Sequence, residues 1–203
     1  MLLRAVISLY GCLLSVASFV LFDSECIPRN DGFFDGERSD ADEVIEGVLL
    51  TAMTTYQEKK IPYIANLLAT IACGDVDVET AHLLVQQADS VSWLELKVLT
   101  IFYRVEEFPM PSIAPGDHPR TWPHYATRTA FNGINSPEGK GYIFYESRIL
   151  EGELGLKLPH VKFDAVRLTN LGRLLAQGMD LVNVPTTELR ETYEALIAVP
   201  VEA

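Results

Sequence analysis

From Ser39 to Arg104 apolar residues return at helical spacing, and Pro62, Gly74, Asp77 and Ser92 cut that run into four segments. Val44, Val48, Ala52 and Tyr56, with Ile45 and Leu49, make one stripe, and Ser39 with Asp42 reads as its cap. This first helix is expected to run for about twenty residues. Pro62 has no backbone N–H to donate, so a helix must kink or restart there before Gly74 stops it. Asp77 caps a third helix with Ala81, Leu84 and Ala88 inward. Ser92 and Glu95 form a capping box for a fourth, which buries Leu94, Val98, Leu99 and Phe102. Short turns between four such helices predict a compact bundle over 39–105.

The chain behind this bundle does not continue the pattern. Between Phe108 and Gly141 lie Pro109, Pro111, Pro115, Pro119, Pro123 and Pro137, so no regular helix can cross the first half of that stretch. A segment of this kind, 106–141, reads as a cover loop with an aromatic contact patch, for which Trp122 and Tyr125 are the candidate partner contacts. Asp117, His118 and His124 are the candidates for gathering a metal here, and their loop spacing has no geometric reason to converge. GxSxG, HExxH, glycine-rich phosphate-loop and Cys/His nucleophile patterns are absent from the sequence. The expectation is a non-enzymatic protein with no catalytic residue, no cofactor and no metal.

Residues 142–203 carry the most specific pattern. Ile143, Tyr145, Ile149, Leu150 and Leu154 predict a short helix ending at Gly155, followed by strands at 156–158, 161–163 and 166–168. Thr169 then caps a helix with Leu171, Leu174, Leu175 and Met179. The run Leu168-Thr169-Asn170-Leu171-Gly172-Arg173-Leu174-Leu175 resembles the LTxxGxxL ending of winged-helix domains, with Gly172 allowing close packing on the preceding helix. A last helix after Pro185 sets Leu189, Tyr193 and Leu196 on one face, to dock back on the bundle or to meet another subunit; Leu189 and Tyr193 are therefore candidate partner contacts. The predicted fold class is mainly α, a helical bundle with a small winged-helix-like α+β C-terminal part.

Charge decides which partners suit this layout. The net charge is −12, which disfavours wrapping nucleic acid, because non-specific affinity for phosphate needs cations that release counterions. The balance is uneven: 18 acidic and 7 basic residues in 1–119, 5 and 8 in 120–173, and 5 and 1 in 174–203. A DNA-binding reading would thus rest on Lys140, Arg148, Lys157, Lys162, Arg167 and Arg173. Against it, the predicted recognition helix region holds Glu146, Glu151 and Glu153.

At the amino terminus an uncharged run from Ala5 to Phe22 follows Arg4 and precedes an acidic linker, which together make up 1–38. Eighteen residues is the lower edge of a membrane span. The run is readable as a cleaved signal peptide with Ser15-Val16-Ala17 at the cut, as an uncleaved anchor, or as part of the globular core. Cys12, Cys26 and Cys73 show no CxxC or ligand spacing, so neither a disulfide scaffold nor a zinc site is expected, and a reducing, cytoplasmic setting fits. Export or membrane anchoring through 5–22 is the alternative.

The segment Glu58-Lys59-Lys60-Ile61-Pro62-Tyr63-Ile64-Ala65-Asn66-Leu67-Leu68-Ala69, then Ser92-Trp93-Leu94-Glu95 and the Leu168-to-Gly172 ending, in that order resemble the abortive-infection alpha proteins and related bacterial defence-associated proteins. The match covers 40–104 and 166–179. It implies a non-catalytic, mostly helical bacterial protein connected to phage exclusion, sensing or growth arrest through contacts with other macromolecules; a protein partner or a second copy is the expected contact. No catalytic residue carries over.

Overall fold

The computed structural model describes residues 29–74, 76–111, 124–135, 140–144, 147–151, 157–161 and 163–198, with side chains described outside 147–151 and 157–161. The chain is mainly helical with little strand, and it divides into two compact units, 1–93 with 177–181 and 94–176 with 182–203. The apolar run 5–22 lies outside the described residues, and among those described no helix is long and apolar enough to cross a membrane.

The first unit contains α1 (Asp40–Thr54), α2 (Ile61–Cys73) and α3 (Val78–Ser90). Its α1 packs on both α2 and α3, burying Ala41, Val44, Val48 and Ala52. The expected capping box forms: the Ser39 hydroxyl accepts from Asp42 N–H, and the Asp42 carboxylate accepts from Ser39 N–H. The helix ends at Thr54, short of the expected length, with Thr55 already extended, and Pro62 belongs to the first turn of the next helix, where a missing N–H costs nothing. Between them Glu58–Lys60 makes one 3-10 turn.

That turn does more than connect. Lys60 is 2% exposed, and its ammonium donates to the carbonyls of Asp89 (3.3 Å) and Val91 (2.6 Å) at the end of α3. Three residues earlier Gln57 Oε1 accepts from Trp93 N–H at 2.6 Å, and the Trp93 indole stacks on Tyr63 with centroids 5.2 Å apart. One short turn thus satisfies orphan backbone groups on both sides of the α3 exit. At the end of α2, Arg29 plays the same part: its N–H donates to Ala72 O at 3.2 Å and its guanidinium to Val76 O. Asp77 caps α3 through Thr80 N–H, as its position predicts.

The second unit holds α4 (Trp93–Tyr103) from Leu94, α5 (Tyr125–Ile134), α6 (Asn170–Gly178) as far as Ala176, and α7 (Thr186–Ile197). Phe102, Phe131 and Phe163 form its aromatic centre, with pairwise centroid distances of 5.7, 6.0 and 5.8 Å. The strands are β1 (Ile143–Phe144), β2 (Ser147–Glu151), β3 (Lys157–Val161) and β4 (Arg167–Leu168). β1 pairs antiparallel with β4, and β2 with β3.

Several expectations are corrected here. The described part of 142–155 is strand instead of helix, because Ser147–Glu151 takes its hydrogen bonds from Lys157–Val161 across a hairpin, and period-3.6 matches in so short a run do not exclude a ribbon. Phe163, read as the end of a strand at 161–163, instead opens a 3-10 turn, Phe163–Ala165. Part of the second half of the proline-rich stretch folds as α5, beginning at Tyr125 after the N-cap His124. Thr169 caps α6 as predicted, its hydroxyl accepting from Gly172 N–H at 3.1 Å. Gly172 packs on the backbone of Tyr142 and not on a preceding helix, and a Cβ there would overlap the Tyr142 carbonyl. Tyr142 is wholly buried, and its carbonyl also accepts from Thr169 N–H at 3.0 Å. The turn into it uses Gly141 at φ 73°.

Lys60→Met keeps the apolar stem but leaves two carbonyls without their ammonium, so it is expected to lower unfolding free energy by about 1–3 kcal/mol in urea denaturation. Gly172→Ala is expected to cost about 1–3 kcal/mol by displacing the Tyr142 backbone. The exposed His82→Ala control should change stability by less than about 0.5 kcal/mol.

Candidate functional site

The second unit carries a groove of about 660 Å³ formed by the start of α4, the first turn of α5 and the outer face of α7. Leu94 and Lys97, one helical turn apart, line it from α4. His124 and Tyr125 stand at its α5 edge, and Glu191 and Glu194 at its α7 edge. Tyr125 is 69% exposed, with the Arg128 guanidinium 4.7 Å from its ring centre. A cation stacked on a ring holds it in place while one face stays open to solvent.

The candidate partner contacts separate sharply. Tyr125 is presented outward at the groove, whereas Trp122 lies outside the described residues. Leu189 is 0% exposed, on the helix α7 that packs on α5 within the unit, which is the docked-back alternative for this helix. Tyr193 is half-exposed, its hydroxyl donating to Pro109 O and its ring meeting Phe108 at 5.3 Å. An amphipathic helix read from sequence has an apolar face, but its cover is a tertiary matter.

The six basic residues are likewise spread over different environments. Lys140 is ion-paired with Glu95, a carboxylate buried beside Gly133. Arg167 is exposed and donates to the carbonyls of Asp164 and Val166 in its own loop, and Arg173 is exposed on α6. Arg148 stands across from His160 in the ribbon, and Lys157 across from Glu151. Lys162 lies outside the described residues, as do Asp117 and His118, so the conjectured histidine cluster does too. His124 is the exposed residue preceding α5. Among the described residues no three His, Cys, Asp or Glu side chains gather to hold a metal.

Two arginines escaped the sequence reading. Arg104 donates to Val184 O at 2.6 Å and Thr186 Oγ1 at 2.8 Å, pairs with Glu107, and lies over the Phe108 ring. Its hydrogen bond lowers the Glu107 pKa below the usual range. Arg29 does the same to Asp31 more strongly: its hydrogen bond, then its charge, hold that carboxyl at about 2. Neither arginine belongs to a motif, since its partners are set by tertiary contacts or loop geometry. Cys73 is a further correction: it is disulfide-bonded. A single bridge between distant positions has no spacing signature, because its geometry is set by a Cα separation of about 4.4–6.8 Å in the folded chain.

The chain matches no family model, no curated protein and no solved structure.

The depressed Asp31 pKa means that its contact with Arg29 contributes fully above the ordinary value of 3.8 and is lost as pH falls through about 2. Carboxyl NMR titration should therefore place Asp31 near 2, and Arg29→Gln should return it toward 3.8.

Proposed function

We propose that this is a non-catalytic interaction protein whose partner contact is centred on Tyr125. The observation that carries this reading is a largely exposed aromatic ring, braced by Arg128, at the rim of a groove large enough to admit side chains of another protein. The α7 edge of the groove, with Glu191 and Glu194 in a stretch (174–203) of five acidic residues against one basic, supports a cationic partner segment on that side, opposite Lys97 on α4. The phage-exclusion setting is supported by the sequence resemblance in 40–104 and 166–179. A winged-helix-like C-terminal part is supported by the ribbon ahead of α6 and by the Thr169 cap.

A second reading, a domain exported or anchored through residues 5–22, is favoured by the disulfide on Cys73, since such bonds persist mainly in oxidising compartments.

A photo-crosslinking residue placed at Tyr125 in the native host tests the first reading. The expected product is a discrete cross-linked protein that weakens several-fold in the Glu191→Gln, Glu194→Gln background and at high salt. Equal cross-linking from Tyr56, 88% exposed on the first unit, or a product unaffected by both glutamate changes, would overturn it.

A further inference from the structure

The groove at Tyr125 has edges of opposite charge. Residues 124–135 hold His124 and Arg128 and no carboxylate, whereas α7 carries Glu188, Glu191 and Glu194 against Arg190. An aromatic knob stands on the basic edge: the Tyr125 ring is largely exposed, with the Arg128 guanidinium 4.7 Å from its centre. Beside it lies a recess lined by Leu94 and by the small side chains of Ala195 and Ala198, with Glu191 and Glu194 next to them. An aromatic ring with a cation beside it suits this recess, and that pair is what its own rim displays.

We propose that the groove is filled by the α5 edge of a second copy of this chain, in a two-fold symmetric dimer. The proposal rests on the reading of Tyr125 as the centre of a partner contact, and it names that partner. In an isologous pair every contact occurs twice, so a surface carrying both knob and recess closes on itself and leaves neither unfilled. Tyr125 of each copy enters the recess of the other against Leu94, and Arg128 of each faces Glu191 and Glu194 of the other. Lys97 keeps the α4 wall of the recess polar, which suits a phenol better than a purely apolar ring. Tyrosine and arginine are also the residue types that concentrate binding energy at interfaces. A net charge of −12 on each copy opposes approach. Salt screens exposed charges beyond about 8 Å at physiological ionic strength, so the groups that meet at the contact decide the balance.

The test is a charge swap, read by sedimentation equilibrium of the full chain at about 100 μM, above the micromolar-and-tighter dissociation constants of standard interfaces. The unsubstituted chain is expected at twice its 22.6 kDa mass. Arg128→Glu alone, and Glu191→Arg with Glu194→Arg, are each expected to be monomeric, because either change sets like charges against each other at both contacts. An equimolar mixture of the two variants is expected to regain the dimer mass, because the swap restores both contacts. Tyr125→Ala is expected to weaken self-association about tenfold or more. A monomeric unsubstituted chain, a dimer that survives either charge variant, or a mixture that stays monomeric overturns the proposal. The cross-link from position 125 in the host separates this inference from the reading beneath it. A product of twice the chain mass supports both; a product with a different protein overturns the second copy and leaves the partner contact standing; no product overturns both.

Discussion

Backbone carbonyls stranded where helices and turns end are the constraint on which both units depend. Each carbonyl buried without a donor costs about 1–3 kcal/mol, a large share of ordinary domain stability. In this chain long basic side chains meet that demand: Lys60 at the end of α3, Arg29 just past the end of α2, and Arg104 at the carbonyl of Val184. Cations also complement the negative end of a helix dipole, so the same groups answer two needs. None of the three comes from the helix whose end or turn whose carbonyl it serves, which makes each a tie between separate stretches of chain.

This use of cations bears on function. With 16 basic residues against 28 acidic ones, every Lys or Arg turned inward leaves the surface more acidic. Lys140, the first of the basic residues that suggested a phosphate-gripping face, is committed to buried Glu95. The groove at Tyr125 shows the complementary side of that balance, with two glutamates on its α7 edge. The proposed interaction reading draws on this acidic balance as well as on the exposed Tyr125 ring.

Most helices were legible because their signals are local. Ser39, Asp77 and Thr169 each announce a helix start by a side chain that bonds a backbone N–H three residues on, a geometry contained in four consecutive residues. Residues 147–151 were misread for the opposite reason: a two-stranded ribbon draws its hydrogen bonds from residues beyond the window, so apolar spacing alone favoured a helix. The site was less legible than the fold. Tyr125 could be singled out as an exposed aromatic, but Leu189 carries the same kind of signal and is wholly buried, while Tyr193 is half-exposed and bonded to Pro109.

By itself the sequence determined a mainly helical chain, the start of most of its helices and an uneven acidic balance, because capping, periodicity and charge are properties of short stretches. Only the tertiary structure decided which cations close which carbonyls, that Gly172 lies on the Tyr142 backbone, that Cys73 is bonded, and which aromatic faces solvent. Those outcomes depend on residues tens of positions apart meeting within a few ångströms, and no local pattern records which distant carbonyl, thiol or ring will be the one that arrives.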